Sequence, residues 1–228
     1  MRRLVATTGL LTMAVAAGCG GGSSGSGQSS SADIASAARI NLRQRDFPAG
    51  WQAHPNPVSA AANANVERTL YGCLATPPPE SHTTANVNSP AFVLSAQQAS
   101  SNVKVAHTTA ESQADYRVLA QPTFGECARR VLLSTLPGAL PAGSTVTSSA
   151  ARTVPATAPA GDQVTATAVT VNVVVQGGRT TVDAGFTRIL RGRALVAVQT
   201  IGLGQPFPAD LGRAIVSNVE NRANQLPA

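Results

Sequence analysis

The chain has few aromatic residues, little charge and none of the compact residue groupings that usually mark an active site. Aromatics make up 4% and charged residues 12% of its 228 positions. Lysine occurs once, at Lys104, so the positive charge is carried by arginine. A nucleic-acid surface needs a dense basic face or a known motif. The net charge of +6 is instead scattered, with local concentrations at Arg129-Arg130 and at Arg188, Arg191 and Arg193. No nucleic-acid partner is therefore expected. The Ala, Arg and Pro richness has the look of a GC-rich coding bias and carries no mechanism.

Catalytic patterns are also missing. His54, His82 and His107 lie far apart in sequence, without the HExxH or CxxC spacing of a metal site. There is no GxSxG elbow around a serine. The acids are scattered singly, with no obvious pair for general acid–base work. The glycines of 20–27 have no strand before them and no GK[ST] after them, so they do not form a phosphate loop. No metal or cofactor is expected. With so few aromatics, Phe47, Trp51, Tyr71 and Phe92 are expected to fill the core rather than line a pocket.

The N-terminus is more informative. Arg2 and Arg3 precede an uncharged, mostly apolar stretch from Leu4 to Ala17. That stretch is shorter than the ~20 residues a spanning helix needs. Small residues Ala16, Ala17 and Gly18 then lead to Cys19, the layout of a secretory signal with its cleavage site. A cysteine directly after them resembles the lipobox of bacterial lipoproteins, although Ala16 stands where leucine is usual. The resemblance implies that residues 1–18 are a signal peptide. It also implies that Cys19 becomes lipidated and holds the protein on the outer face of a membrane. Two acyl chains suffice for stable anchoring, whereas one is marginal. The segment GGGSSGSGQSSS, 20–31, reads as a disordered tether with an r.m.s. span of roughly 20 Å. The remaining residues, 32–228, suit a single domain.

Three cysteines occur in the chain. With Cys19 assigned to lipid, Cys73 and Cys127 remain. They can form one disulfide in an oxidising compartment or stay as two buried thiols.

Periodicity gives the fold class. Residues 32–45 read as a short helix or a strand, and 47–52 as a turn. Residues 59–74 read as a helix with Val66, Leu70 and Cys73 on one face. A loop is expected over 76–90. Strands near 91–98 and 102–108 would be joined by QASSN as a hairpin connection. Thr109 can cap a helix to about Ala120. A second run over 123–135 puts Phe124, Cys127, Ala128 and Val131 on one face, with Pro137, Gly138 and Pro141 ending it. Strands follow at 144–154, 163–176, 179–190 and 194–203, with Gly177-Gly178 as a hairpin signal. The last helix, 209–225, carries Leu211, Ile215 and Val219 at i+4 spacing, with Leu226 continuing the stripe. The expected fold is α+β, one antiparallel sheet with a long C-terminal meander, flanked by helices.

The stretches DFPAGW, YGCLA, SSNVKVAHTTAESQADYRVL, FGECARRVL and RGRALVAVQTIGLGQPFPADL resemble the small cell-envelope lipoproteins of high-GC Gram-positive bacteria. Domains of that group are similar to the PsbP-like fold or to the extracellular sensor domain of PknH-type kinases. The resemblance implies a disulfide between Cys73 and Cys127. It implies no kinase signalling, because the chain shows neither a kinase domain nor a transmembrane helix. The expected protein is a lipid-anchored, extracytoplasmic, non-catalytic module that binds an envelope protein or wall component. Alternatives are a carrier or sensor of an apolar small molecule, which needs a sheet-lined pocket of several hundred Å³, and a secreted hydrolase.

Overall fold

The computed structural model describes residues 29–56, 60–76, 83–156 and 163–225. Cys19, His82 and Leu226 lie outside them. Five helices are described: α1 (Ser31–Ile40), α2 (Ala60–Cys73), α3 (Thr109–Leu119), α4 (Phe124–Ala139) and α5 (Ala209–Ala223). Eight strands complete the fold: β1 (Gln52–His54), β2 (Thr83–Asn88), β3 (Ala91–Leu94), β4 (Gln97–Ala106), β5 (Thr145–Val154), β6 (Gln163–Val175), β7 (Gly178–Arg191) and β8 (Ala194–Leu203).

The strands form one antiparallel sheet in the order β1-β3-β4-β8-β7-β6-β5. The C-terminal half of β4 also pairs with β2, so β3 and β2 share its outer edge. The fold is thus α+β with a single sheet and a long C-terminal meander. The meander follows from alternation and tight turns. In β6, Val169, Val171 and Val173 are buried on one face, while Asn172 between them is exposed. Val175 pairs with Gly178, which leaves Gln176 and Gly177 as the two turn residues. Both have positive φ, +50° and +81°, as the type I′ hairpin turn demands. The turn therefore lies one residue earlier than the Gly177-Gly178 pair suggested.

Helices cover both faces. α2, α3 and α4 pack on one side, where Leu70, Tyr116, Phe124 and Leu132 meet Val171, Phe186 and Leu195. α1 and α5 pack on the other, where Ile40, Ile215 and Val219 meet Val103, Ile189 and Val196. Each fully buried side chain of this size contributes about 1.5–3 kcal/mol relative to exposure. The aromatics fill these layers. Phe47 stacks on Phe92 at 4.5 Å and lies 5.0 Å from Trp51, and Trp51 meets Phe207 at 5.6 Å.

Four local expectations change. Residues 32–45 resolve into the helix α1, capped by the Ser30 hydroxyl accepting from the Asp33 N–H at 3.3 Å, followed by a 3-10 turn over Gln44–Asp46. The loop over 76–90 contains β2, a polar strand paired with β4 and held from α1 by the Ser30 N–H donating to the Thr84 carbonyl at 3.0 Å. QASSN is not a hairpin connection. The turn is at Ser95 and Ala96, and QASSN lies inside β4, buried from Gln98 onward. Finally, α4 runs through Pro137 to Ala139, because a proline in the last turn removes only one intrahelical hydrogen bond.

Candidate functional site

α1 ends against the sheet, and buried polar contacts fix the path of the chain as it leaves the helix. Asn41 is 3% exposed. Its Nδ2 donates to the Val87 carbonyl at 2.8 Å, and its Oδ1 accepts from the Ser101 hydroxyl at 2.7 Å. The Leu42 N–H donates to the same Ser101 oxygen at 2.9 Å. Further along, Phe47 is held in the aromatic stack. Between these two anchors the chain makes the 3-10 turn, with the Arg43 N–H donating to Asp46 Oδ2 at 2.8 Å. Asp46 is buried, and Arg45 beside it is exposed.

α5 closes the other side. Its stripe of Ile215, Val219 and Ala223 is fully buried on the sheet. That packing turns Arg222 toward the end of α1. The guanidinium donates from Nη1 and Nη2 to Asp46 Oδ1 and Oδ2, both at 2.8 Å. It also donates from Nε to the Ile40 carbonyl at 3.0 Å and from Nη2 to the Asn41 carbonyl at 3.0 Å. Arg222 thus caps the C-terminus of α1 and fastens α5 to the 3-10 turn. It is a structural arginine.

Where these pieces meet lies a groove of about 640 Å³. Its lining includes Arg39, Arg43, Arg45, Asn218, Asn221 and Gln225, together with Ile40, Asp46 and Arg222. Four guanidiniums thus face one carboxylate, and Arg222 already holds that carboxylate. Arg39 donates to the Ser36 hydroxyl at 2.9 Å, and Arg43 donates to the Arg39 carbonyl. Arg45 makes no hydrogen bond or ion pair with another described residue. Burial, and then the charges of Arg222, Arg45 and Arg39, pull the Arg43 guanidinium below the ordinary arginine value, with Asp46 opposing. The site is a concave, fixed-charge surface with a surplus of cations and several side-chain amides.

Sequence reasoning missed this concentration, although Arg39, Arg43 and Arg45 sit within seven residues of one another. That short spacing was the available signal. The basic groups that stand out in the sequence have other roles. Arg188 is 1% exposed, with its guanidinium carbon 3.2 Å from the centre of the Phe124 ring. Arg193 pairs with Asp33 at 2.8 Å. Arg129 binds Glu126 and donates to the Ser149 hydroxyl at 2.7 Å. None of these makes a shared basic face.

Cys73 and Cys127 are bonded, S–S 2.08 Å, with the bond tying α2 to α4 across 54 positions. His54 lies in β1, and His107 is exposed after β4. Among the described residues no three His, Cys, Asp or Glu gather as a metal site. No helix among them is long and apolar enough to cross a membrane.

The sheet face has a second, small cavity of about 20 Å³. Asn56, Ser100, Asn102, Arg188 and Gln199 line it. It has room for about one water. Beside it in the fold, Lys104 pairs with Asp115, with both side chains largely buried. A sheet-lined apolar pocket of several hundred Å³ was the requirement for a carrier of apolar molecules. This cavity is too small to meet it.

No family model matches the chain, and no curated protein is matched. Among solved structures, the chain is similar to the extracellular domain of PknH from Mycobacterium tuberculosis. Identity there is 10% and the TM-score 0.46, over 85% of this chain and 97% of that one. A protein of unknown function from Pseudomonas aeruginosa gives 18% identity and a TM-score of 0.18, over 63% and 82%. At these levels neither likeness bears on chemistry.

Proposed function

We propose that the protein is a lipid-anchored, non-catalytic binding module of the cell envelope, exposed outside the cytoplasm. The observation that carries this reading is the composition of the groove. Guanidiniums and amides bind and orient a ligand. Arginine does not deprotonate in proteins, and amides do not titrate, so neither serves as acid or base near neutral pH. Asp46, the one carboxylate among the described lining residues, is engaged by Arg222 and the Arg43 N–H. The Cys73–Cys127 bond supports the location, because such bonds persist in oxidising compartments. Anchoring is assigned to Cys19, which the small residues before it and the Gly/Ser segment after it support.

The test uses the wild-type chain and Cys19→Ser in an exporting bacterial host. The wild type is expected in the detergent phase, lighter by its signal and heavier by a diacylglycerol. The variant is expected to stay in the aqueous phase. In-cell cross-linking of the wild type is expected to recover envelope components reproducibly. A cytoplasmic wild-type chain with reduced Cys73 and Cys127, or turnover of a substrate by the purified protein, would overturn the reading.

A further inference from the structure

We infer that the groove between the C-terminal ends of α1 and α5 binds a phosphate ester whose organic part carries hydroxyl groups. This rests on the binding-module reading and names its ligand chemistry. The groove is built rather than incidental. Asn41 and Phe47 hold its floor at two buried points, and Arg222 ties its two walls together. Into that rigid frame the chain sets Arg39, Arg43 and Arg45, none of which has a carboxylate partner among the described residues. Like charges that outnumber the carboxylate beside them destabilise the empty protein, and an anion relieves that repulsion.

The donor set selects the anion. A planar guanidinium presents paired N–H groups that match the oxygens of phosphate or carboxylate. Three arginines beyond the Arg222–Asp46 pair suit a dianion better than a single carboxylate. The α5 wall adds Asn218, Asn221 and Gln225, and each amide both donates and accepts. That is a wall for hydroxyl groups. Ile40 is 1% exposed and offers almost no apolar surface. Aromatic stacking partners are also lacking, because Phe47 and Trp51 are buried in the core. The apolar surface of the groove is thus that of arginine stems and guanidinium planes, which gives an acyl chain little to pack on. The volume of about 640 Å³ exceeds what bare phosphate fills and lies in the range of small-ligand sites. Two sources carry this chemistry, a soluble sugar or glycerol phosphate and the headgroup of an anionic phospholipid.

The experiment titrates the mature chain calorimetrically at low salt with glycerol 3-phosphate, glucose 1-phosphate, glucose and inorganic sulfate. In parallel, the Cys19→Ser chain is floated with phosphatidylcholine vesicles, with and without phosphatidylglycerol. Each arm is repeated with Arg43→Gln/Arg45→Gln, and with Arg45→Gln alone in case the double variant folds poorly. Saturable binding of a phosphate ester, absent for glucose, stronger than for sulfate and weakened at least tenfold by the double variant, supports the inference with a soluble source. If Arg45→Gln has to stand in, the same pattern with a weakening of at least threefold supports it. Flotation only with phosphatidylglycerol, lost in the variant, supports it with a headgroup source. Binding that ignores the substitutions, equal binding of sulfate, or no binding in either arm overturns it. In that last case the binding-module reading stands or falls separately on the fractionation and cross-linking result.

Discussion

Arg222→Gln tests whether one side chain holds α5 to the rest of the molecule. The Arg222 and Asp46 side chains are 13% and 3% exposed. Arg222 makes four hydrogen bonds, two to the carboxylate and two to the carbonyls at the end of α1. Glutamine is too short to reach both groups. Asp46 would then keep one backbone donor, the Arg43 N–H, and remain a buried charge without its counter-ion. Removing one partner of a buried pair costs about 3–5 kcal/mol, most of it the uncompensated charge. For a domain of this size that lowers Tm by roughly 6–20 °C. The assay is thermal and urea unfolding of wild type, Arg222→Gln, Asp46→Asn and the double variant. The cycle is expected to be non-additive, with a coupling of about 1.5–3 kcal/mol. An Arg222→Gln cost below about 1 kcal/mol, or strict additivity, would refute the assignment of Arg222 as a structural clamp.

Three further outcomes are expected from the same structure. Reducing Cys73–Cys127 opens a loop spanning 54 positions, which in the chain-entropy model costs about 4 kcal/mol. Thermal unfolding with and without reductant checks this, and an unchanged Tm would sink it. A Cβ on Gly202 would collide with the Gln205 carbonyl oxygen and lie 2.9 Å from the Phe207 nitrogen, both backbone atoms. Gly202→Ala is therefore expected to cost about 1–3 kcal/mol by overpacking. Gly138→Ala, with nothing within 4 Å, serves as the control and is expected to be neutral or mildly stabilising in the same unfolding assay. The Glu126 carboxyl is pulled from the ordinary glutamate value down to about 2, chiefly by its hydrogen bonds to Arg129. Because the folded value is depressed, its contribution is present above the ordinary glutamate range. It is lost as pH falls toward 2, and salt screens it because the site is exposed. An NMR titration checks the value, and Arg129→Gln is expected to return it toward ~4.3.

The alternating run of β6 and the stripe of α5 were legible because each is a local statement. Period 2 or 3.6 is written in adjacent residues, whereas Gly177-Gly178 placed the hairpin after β6 only to within one residue. These features determined the fold class, an antiparallel meander under helices. They did not determine pairing. QASSN reads as a polar connection until Asn41, Ser89, Asn86 and Asn88 supply its buried hydrogen bonds. β2 is likewise too polar to declare itself, and it is held as a strand by β4 and α1.

The same division applies to charge. Arg188, Arg191 and Arg193 look like a basic group because they are neighbours in sequence. β7 buries the first against Phe124, and the last reaches across 160 positions to Asp33. Arg39, Arg43 and Arg45 look ordinary in sequence, because nothing local says which acids will neutralise them. The register of α5 decides it. Arg222, 176 positions after Asp46, takes the one carboxylate among the groove's described residues and leaves Arg39, Arg43 and Arg45 without such a partner among them. Which residues form helices and strands depends on short-range pattern. Which charges are left over depends on contacts between distant segments, and only the tertiary structure sets those.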